Sequence, residues 1–105
     1  MKNPEIDSRG NKFWYNERHQ LHRDGDLPAA ENITGSKYWY VNGVLHRDGD
    51  LPAIEWENGS KYWYVNGVLH RDNGLPACEY SYGNKHWHDE NGQCYRWDEW
   101  IYFWL

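Results

Sequence analysis

The sequence predicts an all-β protein: an elongated or curled antiparallel meander of repeated hairpins with an aromatic C-terminal cap. Three observations predict it. The ten residues from Tyr38 to Arg47 return letter for letter from Tyr62 to Arg71, an offset of 24 positions. Asn-Gly pairs separate short alternating runs, and that dipeptide is a strong hairpin signal because both residues tolerate positive φ. Corners rich in Gly and Pro (Asp48-Gly49-Asp50-Leu51-Pro52 and Asp72-Asn73-Gly74-Leu75-Pro76) close each stretch. There Gly supplies unusual dihedrals and Pro removes a ladder N–H.

A fixed period governs the architecture before any local assignment is made. Residues 1–9 are polar and precede the first copy, as a frayed end or an imperfect edge strand. Lys12, Lys37, Lys61 and Lys85 then mark four copies. The units run approximately over 10–28, 29–52, 53–76 and 77–96, with a cap at 97–105, all in a single domain. The first copy carries one extra residue, in Asn16-Glu17-Arg18-His19-Gln20, which a longer loop or a bulge absorbs. The fourth gains one in Asp89-Glu90-Asn91-Gly92-Gln93.

Within a unit the runs are Ala53-Ile54-Glu55-Trp56-Glu57, Lys61-Tyr62-Trp63-Tyr64-Val65 and Val68-Leu69-His70-Arg71, joined by Asn58-Gly59 and Asn66-Gly67. Alternation along a strand assigns faces. Trp14, Trp39, Trp63 and Trp87 recur at one position and are expected on the buried face. Leu45, Leu69, Ile54, Trp56 and Tyr80 are expected beside them. The Tyr pairs, His46, His70, Glu31, Glu55 and Glu79 are expected on a partly wet face. One hairpin cannot bury its own face, but stacked neighbours can. Two or three strands per unit would extend four units over about 40–55 Å at the usual strand spacing.

The tail, Arg96 to Leu105, breaks the pattern. Trp97, Trp100, Ile101, Trp104 and Leu105 fit a helical stripe, whereas Trp100, Tyr102 and Trp104 share a strand face. A strand or irregular cap over the open end is the favoured reading, because so many aromatics in a short segment make a poor helix; either form would blunt an exposed edge.

The chain has 105 residues, the size of one domain, with eight Trp, nine Tyr and two Phe. Mean hydropathy is -1.10. That aromatic load argues against disorder. A net charge of -5 speaks against direct binding of nucleic acid and suits a basic protein partner. Cys78 and Cys94 do not make a disulfide framework. No apolar run approaches the roughly 18 residues of a membrane helix, and Met1-Lys2-Asn3-Pro4-Glu5 is no apolar targeting stretch. A cytoplasmic location without membrane contact is therefore expected.

The repeats offer several candidate sites. Tyr38, Tyr40, Tyr62 and Tyr64 can serve as amphipathic anchors for a partner, or can simply pack laterally across strands. Asp24, Asp26, Asp48, Asp50 and Asp72 form an acidic edge that could imitate nucleic-acid phosphates, or could cap their own turns. Arg47 and Arg71 are expected to be structural, bridging to Asp or Glu of neighbouring units. His22, His46 and His70 recur once per unit, each followed by Arg and Asp. Zinc wants three or four clustered ligands, so no metal is expected, although His86, His88 and Cys94 are close in sequence. No nucleophile elbow, Walker loop or Cys–His arrangement is present. Near-identical units also leave room for a unique site only at an end. No catalytic residue and no cofactor is expected.

The unit Asn58-Gly59-Ser60-Lys61-Tyr62-Trp63-Tyr64-Val65-Asn66-Gly67-Val68-Leu69-His70 resembles the MORN-like repeats of bacterial and phage proteins, over roughly residues 10–96. The Leu-His-Arg-Asp and Leu-Pro-Ala segments depart from ordinary units of that family. The resemblance implies successive hairpins used for assembly and protein contact, with Tyr62, Trp63, Asn66 and Gly67 on the structural signature. A looser likeness is to choline-binding cell-wall repeats, where aromatics cage a quaternary ammonium; Trp39, Tyr40, Trp63 and Tyr64 would match. The leading expectation is a non-enzymatic protein-binding module. Its concrete form is an acidic phage-type inhibitor, in the host cytoplasm, that blocks the nucleic-acid groove of a basic defence enzyme. The alternatives are a choline or glycan module and a structural array that oligomerises through residues 97–105.

Overall fold

The two Asn-Gly pairs of a unit make two different turns, and that difference builds the fold. The structure, a computed structural model, describes residues 3–98. At Asn66-Gly67 both residues take positive φ, 51° and 82°. That is the two-residue mirror-image turn whose twist suits a hairpin. At Asn58-Gly59 only Gly59 does, at 93°. Here the Gly59 N–H donates to the Trp56 carbonyl (2.9 Å) and the Ser60 N–H to Asn58 Oδ1 (2.8 Å). A three-residue loop results, and Asn58 serves it through its side chain rather than through its backbone freedom.

The strands are short. They are β1 (Glu5–Ile6), β2 (Lys12–Phe13), β3 (Ala30–Glu31), β4 (Lys37–Tyr38), β5 (Tyr40–Val41), β6 (Val44–Leu45) and β7 (Ile54–Glu55). There follow β8 (Lys61–Tyr62), β9 (Tyr64–Val65), β10 (Val68–Leu69), β11 (Cys78–Glu79), β12 (Lys85–His88) and β13 (Cys94–Asp98). One nine-stranded antiparallel sheet runs β1-β2-β3-β4-β7-β8-β11-β12-β13. The pairs β5–β6 and β9–β10 stand off it as separate hairpins. In the first unit an isolated Tyr15–Leu21 bridge takes their place, with the extra residue in a loop that puts His19 at φ 59°. The fold is thus an all-β hairpin meander, 51 × 28 × 19 Å. Eight strand steps of about 4.8 Å account for most of the long axis.

The run Lys61–Val65 is not one strand. Trp63 is a corner: its N–H donates to the Ala77 carbonyl (2.8 Å) in the main sheet direction, and its carbonyl accepts from the His70 N–H (3.0 Å) in the side hairpin. Trp39 does the same with Ala53 (2.7 Å) and His46 (3.1 Å). The face assignment made from alternation fails here for that reason. Leu45 pairs with Tyr40 and Leu69 with Tyr64, so neither leucine lies opposite a Trp. Ile54 lies between Tyr38 and Tyr62. Trp56 packs edge-on against both tyrosines, with centroids 5.7 and 6.0 Å away. Tyr80 continues that file against Tyr62 at 5.7 Å.

The opposite face is charged. Lys12, Glu31, Lys37, Glu55, Lys61, Glu79 and Lys85 face one another in sequence across the strands. Each opposed pair contributes on the order of 0.2–1 kcal/mol. The core is a set of repeated buried positions: Trp14, Trp39, Trp63 and Trp87, with Ala29, Ala53 and Ala77 fully enclosed. Ser36 and Ser60 are also buried, and each hooks the next unit by accepting from the Glu57 or Ser81 N–H (both 3.0 Å). In the first unit Asn11 Oδ1 takes that role toward the Ile33 N–H (2.9 Å). The cap expected at 97–105 falls, from residue 99 on, outside the described residues, and so do Trp100, Ile101, Tyr102, Trp104 and Leu105.

Candidate functional site

The loop from His46 to Pro52 carries the chemistry of the unit. Arg47 leaves the side hairpin and folds back over Trp39, its guanidinium carbon 3.8 Å from the ring centroid. Arg71 covers Trp63 in the same way at 3.9 Å, and Arg23 covers Trp14 at 3.8 Å. Stacked so, the guanidinium fork lies in a fixed plane. Arg47 Nη1 donates to the Pro52 carbonyl (3.1 Å) and Glu55 Oε2 (3.0 Å). Its Nε and Nη2 donate to Asp26 Oδ1 (3.0 Å) and Oδ2 (3.3 Å) of the unit before. Arg71 repeats the set with Pro76, Glu79 and Asp50.

The acidic corner therefore divides into two classes. Asp26 and Asp50 are engaged with arginines, and hydrogen bonding by Arg71 holds the Asp50 carboxyl below its ordinary value. Asp24, Asp48 and Asp72 point outward, with side chains 97%, 94% and 77% exposed. Each of these accepts from a histidine Nε2, of His22 (2.8 Å), His46 (2.7 Å) or His70 (2.8 Å). The histidines are held by the following unit. His22 Nδ1 accepts from the Asn42 N–H (3.1 Å), and His46 Nδ1 from the Asn66 N–H (3.0 Å). A ring that accepts at Nδ1 carries its proton on Nε2, which is therefore the nitrogen that donates to the carboxylate.

His70 differs. Its Nδ1 faces the His88 carbonyl (3.1 Å) and its Nε2 faces Asp72. Two acceptors require two donors, which only the imidazolium has. Burial opposes that charge, but the Asp72 hydrogen bond and the His88 carbonyl outweigh it and raise the pKa. The cause lies in the fourth unit, where β12 runs on through His88 and pairs with β13 across a register shift. His88 itself is pushed down by burial, and its Nδ1 has no partner among the described residues.

Tyr38, Tyr40, Tyr62 and Tyr64 are half-buried. Tyr38 and Tyr62 sit in the aromatic file of the main sheet. Tyr40 and Tyr64 sit opposite Leu45 and Leu69, and burial raises the pKa of both. Burial also pushes the Cys78 thiol up to about 11, which makes it a poor nucleophile at neutral pH. Cys78 and Cys94 are both free. Among the described residues no group of three His, Cys, Asp or Glu could hold a metal ion, and no helix is long and apolar enough to cross a membrane.

Sequence reasoning missed the serine hooks and the double use of each acidic corner. The available signal was spacing: Arg47–Asp26 and Arg71–Asp50 share one separation, and so do Trp39–Asp26 and Trp63–Asp50. Comparison of the chain with family models, curated proteins and solved structures returns no match.

Proposed function

We propose that the chain is a non-enzymatic protein-binding repeat module whose acidic edge enters the nucleic-acid groove of a basic protein, in the manner of a phage-type inhibitor of a host defence enzyme. The observation that carries this reading is the row Asp24, Asp48 and Asp72. These carboxylates stand at equivalent positions of successive units, largely exposed, each on a histidine. Two strands per unit separate neighbours by about 10 Å. Fixed, regularly spaced negative charge is what a phosphate-binding groove is built to receive. The MORN-like resemblance, which implies protein contact, supports the same reading.

Binding through aromatic cages is less well supported, because Arg47 and Arg71 already cover faces of Trp39 and Trp63. The test is affinity capture from host lysate, followed by calorimetry with the captured protein. Binding should weaken steeply between roughly 50 and 200 mM salt. The triple variant Asp24→Asn, Asp48→Asn, Asp72→Asn should lose most of the affinity and most of the salt slope. Unchanged affinity in that variant rejects the acidic edge as the contact surface.

A further inference from the structure

Asp26 is recognised twice by the unit that follows it. Its carboxylate accepts from Nε and Nη2 of Arg47, and its own main-chain carbonyl accepts from the Trp39 indole N–H at 3.1 Å. Asp50 is held identically, by Arg71 at 2.8 and 3.2 Å and by the Trp63 indole at 3.1 Å. Both aspartates have positive φ, 55° and 56°, and both follow a glycine that also has positive φ. The left-handed region favours Asp and Asn among residues with a side chain. The molecule thus contains two worked examples of a receptor for a Gly-Asp turn. Each is an indole N–H and a guanidinium edge held in register by stacking.

The first unit has the same pair of side chains, Trp14 and Arg23. Arg23 lies on Trp14, and its Nη1 donates to the Pro28 carbonyl (3.2 Å) and Glu31 (3.4 Å), as Arg47 does to Pro52 and Glu55. The Nε–Nη2 edge of Arg23 and the indole N–H of Trp14 have no hydrogen-bond partner among the described residues. Both side chains line a groove of about 1500 Å³, shared with Tyr15, His22 and Leu27. The Arg23 side chain is 23% exposed, against 11% and 13% for Arg47 and Arg71. These donors are pre-positioned by the same contacts as in the inner units, so a ligand bears little ordering cost.

We propose that Trp14 and Arg23 form a binding site for an aspartyl turn of a partner protein. A Gly-Asp pair in left-handed conformation places its carboxylate on Arg23 Nε and Nη2 and its carbonyl on Trp14 Nε1. The two anchors belong to one residue, and this sets the selectivity. Glu carries its carboxylate one methylene further from the same carbonyl, so it cannot keep both contacts. Asn keeps the geometry but loses the charge of the fork. The site shares its groove with Asp24, the first carboxylate of the outward row, but does not rest on that row's function.

The test is nuclear magnetic resonance on the full-length, nitrogen-labelled chain. The probe is a disulfide-closed peptide copying residues 46–54. The Trp14 indole N–H, identified by its loss in Trp14→Phe, should shift on titration, while the indoles of Trp39 and Trp63 stay in place. The same peptide with Asn at its second acidic position should bind about tenfold more weakly, and Arg23→Lys should remove the preference for Asp. An unmoved Trp14 signal at millimolar peptide overturns the proposal. Equal binding of the Asp and Asn peptides overturns it too, as does an equal shift with sodium acetate. A shift that grows with protein concentration alone assigns the site to a second copy and overturns the partner-protein form.

Discussion

Arg47 lies flat on Trp39 at 3.8 Å while its fork holds Asp26 of the unit before and Glu55 of the unit after. One side chain therefore joins three consecutive strips of the sheet. Arg suits this place because its donors are planar and forked, and lysine offers neither property. Arg47→Lys should cost about 2–3 kcal/mol through lost stacking and lost charge-assisted bonds, read as a lower urea midpoint.

The two acidic classes should separate in the same assay. Asp48→Asn should change stability by less than about 0.5 kcal/mol, as an exposed substitution. Asp50→Asn should cost about 1 kcal/mol, a value reduced for the half-exposed state of the carboxylate. The folded pKa of Asp50 is depressed by Arg71. Its contribution is therefore present above the unfolded value of about 3.9 and is lost as pH falls through the folded value. Asp50→Asn should flatten that part of the acid-unfolding profile; an unchanged profile would reject the assignment.

His70 should show the opposite sign. Its folded pKa is raised, so its contribution is full below the unfolded value of about 6.5 and disappears as pH rises through the folded value. The stability gap between the parent chain and His70→Gln should be larger at acidic pH than at alkaline pH. The comparison cancels His88, whose depressed pKa works the other way. Thermal melts across pH measure the gap.

Gly67 has φ 82°, and a Cβ there would lie 2.8 Å from Val44 Cγ1 of the preceding hairpin. Gly74 has φ 70° and open space around the same atom. Gly67→Ala should cost roughly 2 kcal/mol or more, from backbone strain plus the clash, and Gly74→Ala about 1 kcal/mol from strain alone. Equal losses in denaturant titration would mean that the hairpin tips do not stack as described.

Two tryptophans should respond unequally to the same change. Trp63→Phe removes the bond to the Asp50 carbonyl and the surface under Arg71, for about 2 kcal/mol. Trp56 Nε1 is buried without an acceptor among the described residues. Trp56→Phe keeps a ring against Tyr38 and Tyr62 and discards an unpaired donor, so it should cost less than about 1 kcal/mol. Melting temperatures of the two variants decide the order.

The all-β class, the 24-residue period and the places of the turns were legible in the sequence, because they depend on local properties: which residues accept positive φ, where an N–H is missing, and how often a string returns. The buried position of the four equivalent tryptophans was legible for the same reason. The faces were not. Alternation holds only while a strand continues, and Trp39 and Trp63 each end one sheet and begin another hairpin. Ile54 is buried as expected, but that corner set it, with Trp56 and Tyr80, beside Tyr38 and Tyr62 and placed Leu45 and Leu69 opposite Tyr40 and Tyr64. The separation of Asp48 from Asp50 was equally hidden, since both belong to one turn in the string. Only the stacking of units brings an arginine to one carboxylate and leaves the other in water, because that contact joins residues 21 positions apart and depends on the pitch of the array.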